Sequence, residues 1–424
     1  MTPPASEALE SARAAASGLT ELFEAAGHRL YLVGGVVREA VAGRFETGAD
    51  LDCTTDARPA TVRRIVGDVA TSLWTQGERF GTIGCVVGGR PFEITTHRAE
   101  RYERQSRKPL VAYSDDVVQD LARRDFTINA MALDTADGTL IDPHGGCDDL
   151  MARVLRTPLD PAVSFDDDPL RMLRAARFIA SHGLVPDDAV TGAVRSMGDR
   201  LDIVAAERVR DEFEKLLLLE DPSAGFRFLF HTGLIERVIE ELIYRDPAEV
   251  GRVAAAVAPE PAPRWASLFV DRSAETAAAR LHKLHCSNAV TTAAAGLITA
   301  RAWLAGTGTT RSDVRRFVYA CPVPVDVAIA FAGAVATARR ESTNQLSDFT
   351  DVLAELRRAE DVDHFTLPVD GDEVMAVLGL APGPAVGRAL DFLRERAFEE
   401  GPPSKAEAVR ALQRWRDTDY CAEP

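Results

Sequence analysis

Asp50-Leu51-Asp52 sets two carboxylates two residues apart in a short β-rich run. On a strand, residues i and i+2 share a face with backbones about 6.7 Å apart. Carboxylates so placed can share two Mg2+ ions, about 4 Å apart, that clamp the attacking and leaving oxygens of a phosphoryl transfer. An acidic strand end closing in an Asx turn at Cys53-Thr54-Thr55-Asp56 is the plainer alternative. Upstream, Gly34-Gly35 follows the apolar run Arg29–Val33 and precedes a helical stretch. Two glycines there let backbone approach a ligand closely, and free N–H groups favour an anion. Arg38 sits one turn on, within reach of the same phosphates; a simple tight turn is the competing reading. Glu93, in the run Phe92–Thr95, presents either a third carboxylate to that face or an ordinary edge-strand charge.

Arg123-Arg124-Asp125 precedes the apolar run Phe126-Thr127-Ile128-Asn129-Ala130. It reads as a helix cap with solvated arginines or as an arginine holding a ribose hydroxyl or a phosphate, and spacing leaves both open. Asp168-Pro169 has the form of an N-cap followed by N1. Arg171, Arg174 and Arg177 then recur every three residues on one slowly drifting helix face. Asp168 and Arg171 together match the Watson–Crick edge that cytosine and adenine share. The carboxylate accepts from the exocyclic amine while the guanidinium donates to the ring nitrogen. A capping aspartate on a salt-bridged helix is the alternative. His282, His285 and Cys286 have helical ligand spacing but no further partner, which is too little for a metal site.

The elements that must carry these residues are short. Leu9, Ala12, Ala16, Leu19, Leu22 and Phe23 predict a helix over 5–27. Arg29–Val33 and Leu51–Thr54 read as strands, Val36–Val41 and Pro59–Val66 as helices. Thr82–Val87 and Pro91–Thr95 read as a hairpin turned at Gly88-Gly89. After Met151 helical periodicity takes over, and from Asp168 strand signals are few. Proline-rich Val257–Trp265 suits a linker between helical units.

At 424 residues the chain exceeds one compact core, and 46% hydrophobic with 27% charged content describes a folded chain rather than a disordered one. Six scattered cysteines without a CxxC pair argue against disulfides and cysteine-bound zinc, and fit a reducing cytoplasm. The acidic N-terminus lacks a signal-peptide core, and no run of 18 apolar residues predicts a membrane span. A net charge of −16 argues against a surface coated for polyanions, yet only four of the 49 cations are lysines. Arginine forks suit phosphates and base edges, so their placement decides more than the sum. Arg98, Arg101, Arg104, Arg107 and Lys108 face only Glu100 and Glu103 in one stretch.

In this order and spacing, LVGGVVRE, the DLD strand, RRDFTINAM, IDPHGGCDDL and DDPLRMLRAARF resemble the successive motifs of the class II tRNA nucleotidyltransferases. These are the CCA-adding enzymes and their bacterial poly(A) polymerase relatives, and the resemblance spans roughly residues 25–230. It implies an α+β fold: a polymerase-β-like nucleotidyltransferase head (1–150), then an all-helical neck with a base-templating helix (151–220), body and tail (221–424). It implies that Asp50 and Asp52 hold catalytic Mg2+, that Gly35 and Arg38 contact the triphosphate, and that Arg124 binds the sugar. Asp168 and Arg171 would select the base, Arg174 and Arg177 would complete the nucleotide pocket, and the Glu207–Glu212 segment would be structural support. Glu39 and Asp167 stand where the family usually has Asp and Glu. No histidine is followed by aspartate, so an HD phosphohydrolase domain is not expected; Trp265–Asp271 lies where its motif would fall.

The activity so implied is addition of the 3′-terminal CCA to tRNA from CTP and ATP without a nucleic-acid template. Poly(A) addition and partial CC- or A-addition are alternatives within the family, and a silent RNA-binding paralogue is one from another class. The undeleted loop 98–120 and Phe80-Gly81-Thr82-Ile83 favour the full triplet. Expected partners are tRNA, ATP and CTP, with no obligate protein partner. Arg311, Arg315, Arg316, Arg339 and Arg340 are candidates for an RNA-facing surface.

Overall fold

The computed structural model describes residues 3–46, 48, 50–98 and 113–418. Of the cationic stretch that begins at Arg98, residues 99–108 lie outside the described residues. Two compact units are present, Met1–Ala248 and Glu249–Pro424.

The first unit opens with α1 (Pro3–Ala25), whose Ala12, Ala16, Leu19 and Phe23 are fully buried as their spacing requires. β1 (Leu30–Val33), α2 (Gly35–Val41), β2 (Leu51–Thr55) and α3 (Pro59–Gly67) follow. Then come β3 (Ser72–Trp74), β4 (Thr82–Val87), β5 (Arg90–Thr96), α4 (Val117–Ala122), β6 (Ala132–Asp134) and β7 (Leu140–Ile141). The strands form one seven-stranded sheet in the order β3-β4-β5-β2-β1-β6-β7. Only β2 and β5 run parallel, in a register that sets Asp52 opposite Glu93. Leu51 and Cys53 of β2, Ile83 and Cys85 of β4 and Ile94 of β5 point to the core they share with α1, α2 and α3. The alternation of a strand then turns Asp52 and Glu93 to the opposite, open face. Glu93 is on an interior strand, so it is not an edge charge. β3, β6 and β7 are two or three residues long, too short to show a period in sequence.

Past the sheet come α5 (Gly146–Ala152), β8 (Val154–Leu155), α6 (Pro161–Asp167), α7 (Arg171–His182), β9 (Val185–Pro186), α8 (Asp188–Met197) and α9 (Ala206–Leu217). β8 and β9 pair in parallel, a small second sheet that helical periodicity did not announce. On α7, Met172, Leu173, Ala175, Ala176, Phe178 and Ile179 are buried, while the three arginines occupy half-buried positions along it. The N-cap expectation for Asp168 is corrected: Asp168 is the C-cap of α6, and α7 begins at Arg171 with Leu170 as N-cap. Its carboxylate Oδ1 instead accepts from Leu170 N at 3.2 Å, holding the turn between the two helices. The run after Arg124 is likewise not a long helix but a single 3-10 turn, Thr127–Asn129.

The second unit is helical throughout its described residues. The linker expected at Val257–Trp265 shrinks to its first residues. A helix starts at Pro261, where proline suits N1, and it buries Arg264 and Trp265. The helix Ala274–Lys283 ends before His285, which has φ 56°, so the helical spacing of His282, His285 and Cys286 is not realised. No single helix among the described residues is long and apolar enough to cross a membrane. Of the arginines named as candidates for an RNA-facing surface, Arg340 is exposed and the other four are paired with carboxylates. Arg315 is buried against Glu360, Arg311 pairs with Glu355, and Arg316 pairs with Glu395 and Glu399. Arg339 is held by Asp271, Glu249 and Glu341. Cations neutralised this way add little attraction for a polyanion.

Candidate active site

The sheet's open face, the β1–α2 turn and the segment after α4 meet at Asp52. Gly34 closes β1 with φ 72°, a left-handed value that only glycine takes without strain. A Cβ at Gly34 would lie 3.5 Å from Arg124 Nη1 and 3.7 Å from Asp52 Oδ2, so all three line one small space. Asp50 is exposed one residue before β2, and Asp52 is exposed on it. The Asp52 carboxyl is raised above its ordinary range, by desolvation first and then by like charge from Glu93 and Asp50, against the pull of Arg124. Arg123 and Arg124 are not solvated caps: both turn back to Asp120, to which Arg124 Nη2 donates at 3.0 Å. Asp120 is buried and also accepts from Arg98 N at 3.2 Å. Burial would raise its carboxyl, but Arg124 and Arg123 hold it below the usual range.

Among the described residues no group of three His, Cys, Asp or Glu side chains is placed to hold a metal ion by itself. Asp52 with Asp50 beside it and Glu93 one strand away is a different donor set: hard oxygens and surplus negative charge, open on one side. Mg2+ is commonly bound by one or two carboxylates together with substrate phosphates. Carboxylate oxygens of this kind suit a hard cation only together with ligands from outside the chain.

A second group of side chains joins α2, the 3-10 turn, α7 and α9. Arg38 Nη1 donates to Asn129 Oδ1, Asn129 Nδ2 donates to Asp125 Oδ1 at 3.0 Å, and Arg174 donates twice to Asp125 Oδ2, at 2.6 and 2.8 Å. Arg177 Nε donates to Glu212 Oε1, and Glu212 also faces Arg174 at 3.8 Å. The Phe178 ring lies beneath all three guanidiniums, with Arg177, Arg38 and Arg174 at 4.4, 5.4 and 5.5 Å from its centroid. Burial alone would raise Asp125; Arg174, Asn129 and Arg171 reverse that and hold its carboxyl at about 2. Glu39 is held at about 2, chiefly by a hydrogen bond from His182 and, against partial burial, by Arg38 and Arg44. Asp125, Asn129, Phe178, Glu39 and Glu212 were not singled out for this network in sequence. The motif order contained them, but nothing in their spacing told which arginine each would hold.

Arg171 is anchored by Nη1 donating to Ser164 Oγ at 2.8 Å and Nη2 to the Arg123 carbonyl. Asp168 Oδ2 accepts from Arg208 Nη2 at 3.0 Å. Arg208 comes from the segment expected to be structural support. Each member of the candidate base-reading pair is thus tethered to its own partners, and Arg171 is tied to the chain beside Arg124.

Residues 30–156 match the poly A polymerase head domain, and residues 183–244 match the family described as the probable RNA and SrmB-binding site of polymerase A. The CCA-adding enzyme of Geobacillus sp. (strain WCH70) is 37% identical over 220 residues, 52% of this chain and 53% of that protein. The structure of the Bacillus stearothermophilus CCA-adding enzyme in complex with CTP matches with TM-score 0.74 and 25% identity over 100% of both chains. Two stretches of the chain thus match domains of the poly(A) polymerase family, and its whole length has the fold of a CCA-adding enzyme. The CCA-adding enzyme of Limosilactobacillus reuteri (strain DSM 20016) is 35% identical over 215 residues. The matched stretch spans about half the length of these curated relatives. The polymerase-type head followed by a helical remainder is the architecture that the resemblance led us to expect, and nucleotidyltransferases of this family are generally metal-dependent.

Proposed function

We propose that the chain adds the 3′-terminal CCA to tRNA from CTP and ATP, without a nucleic-acid template, as an Mg2+-dependent nucleotidyl transfer in the cytoplasm. The observation that carries the reading is the convergence of Asp52, Gly34 and Arg124 in one space, with Arg171 tethered to the backbone at Arg123 and Arg124. Relatives named as CCA-adding enzymes favour the triplet over a poly(A) tail or a partial product.

In this reading Asp50 and Asp52 hold the metal, with Glu93 as a third carboxylate, and the ions would supply activation of the attacking hydroxyl and neutralisation of the leaving pyrophosphate. Gly35 opens α2 beside Arg38, whose Nη2 would lie in ordinary contact, 3.7 Å, with a Cβ there, and contacts the triphosphate with it. Arg38 and Arg124 bind the triphosphate and the sugar. Asp168 and Arg171 offer acceptor and donor to the base, and Arg174 and Arg177, already paired with Asp125 and Glu212, form the pocket wall by position. Residues 1–150 act as catalytic head, 151–220 as neck, and 221–424 as the tRNA-binding remainder. The residue roles make one direct prediction. Arg171→Ala should raise UTP and GTP incorporation relative to CTP by about tenfold, the discrimination one bidentate contact supplies. An unchanged ratio in single-nucleotide assays removes Arg171 from base selection.

The test of the function is incubation of tRNA lacking its 3′ end with CTP, ATP and Mg2+. Three added nucleotides support the reading. One or two, a long A-tail, or none each identify one of the alternatives.

A further inference from the structure

One row of the sheet's open face runs Asp52 on β2, Glu93 on β5, Gly84 on β4 and Trp74 on β3, each opposite the next. Gly84 is where the row drops to bare backbone, and the Trp74 indole lies down in that gap. A Cβ at Gly84 would meet Trp74 Nε1 at 1.9 Å and Cε2 at 2.0 Å, so any other residue would lift the ring. Trp74 is half-buried, leaving part of its side chain in solvent on the face that carries Asp52 and Glu93.

The two sides of Asp52 differ in kind. Gly35 and Arg38 follow β1, and Arg124 precedes β6, so these residues assigned to the nucleoside triphosphate lie toward that end of the strand order. Toward the other end are Glu93, Gly84 and the indole. In-line displacement puts attacking and leaving oxygens on opposite sides of the reacting phosphorus. With the triphosphate on the β1 side, the attacking hydroxyl comes from the β5 side. The indole over Gly84 is two strand spacings, about 10 Å, from Asp52. That is the reach of one nucleotide from its 3′ oxygen across sugar and base.

We propose that Trp74 is a stacking platform for the base of the acceptor RNA's 3′-terminal nucleotide, setting its hydroxyl beside Asp52. A stack reads the π-face that every base has, so one platform serves the acceptor as its last base changes. The inference rests on the nucleotidyl-transfer reading of the site. The competing explanation is that the ring only covers a strand glycine.

The experiment compares the wild type with Trp74→Phe and Trp74→Leu, both of which keep Gly84 covered; thermal melts confirm folding. A tRNA trimmed of its last three nucleotides and ending in 2-aminopurine reports stacking by fluorescence quenching, read without turnover. Quenching should persist in Trp74→Phe and be lost in Trp74→Leu. In steady-state assays with unlabelled trimmed tRNA, Trp74→Leu should raise the KM for tRNA by about tenfold, with the KM for CTP unchanged and Trp74→Phe near the wild type. Equal quenching and equal KM in the leucine variant overturn the platform, as does a rise in the KM for CTP matching that for tRNA. Wild-type enzyme that binds and quenches but adds nothing overturns the functional reading instead.

Discussion

Asp52→Asn should lower nucleotide addition at least about a thousandfold, the few kcal/mol that metal-assisted charge stabilisation supplies to such a transfer. It should leave tRNA affinity and melting temperature unchanged. Asp52 is exposed on β2, so the amide fits without repacking. Its carboxyl is raised because the space around it is partly desolvated and shared with Glu93 and Asp50. Neutralising it loses the attraction of Arg124 but relieves the desolvation cost and the like charge of Glu93 and Asp50, so a lost activity cannot be charged to a lost fold. Single-turnover rates alongside a tRNA-binding titration and a thermal melt check all three parts. Normal turnover in this variant removes Asp52 from the chemistry.

Asp125→Ala should destabilise the chain by about 2 kcal/mol at neutral pH, less than a fully buried pair would cost because half-buried Arg174 keeps Glu212 at 3.8 Å. Arg174 would lose both of its short hydrogen bonds to Asp125, and Asn129 would lose the acceptor that orients it toward Arg38. Asp125→Asn tests the charge alone. The native carboxyl titrates at about 2 against 3.8 when unfolded. A depressed carboxyl contributes stability that is fully present above the unfolded value and is lost as pH falls toward the folded one. For Asp125 that is roughly 2 kcal/mol, fading between about pH 4 and 2. Urea unfolding across that range should show a shallower acid loss in Asp125→Asn than in the wild type. Identical acid slopes, or an alanine variant within about 1 kcal/mol of wild type, would show that the charge is not held as described.

Much of the site was legible because its chemistry is local in sequence. Asp52 needs only strand alternation, although Asp50, read on the same strand, lies one residue before β2, and Gly34-Gly35 needs only a strand followed by a helix. The face shared by Arg171, Arg174 and Arg177 needs only the helical period. The partners of those arginines were not legible, because Asp125 meets Arg174, Asn129 meets Arg38 and Glu212 meets Arg177 across long stretches of chain. Asp168-Pro169 misled because a residue closing one helix three residues before the next looks like a residue opening it. Trp74 was hidden for another reason. Three residues of β3 carry no period, and Gly84 beneath the ring gives a sign only once the register is known. The arginines of the second unit were counted as charge in sequence, whereas the fold spends most of those named on carboxylates within reach.

The single parallel pairing in the large sheet also governs when the site can exist. A parallel neighbour cannot be reached by a tight turn, so β2 waits for α3 and for the β3–β4 pair before β5 brings Glu93 alongside Asp52. β1 waits longer, for β6, and the arginines wait for Glu212 on α9. Such distant closures are slow relative to local helix formation. As the chain leaves the ribosome, its carboxylates emerge early and unaligned, and the full constellation forms only after α9 has been made. The head, residues 1–150, is thus fully made before the last ion pair of the candidate site can form.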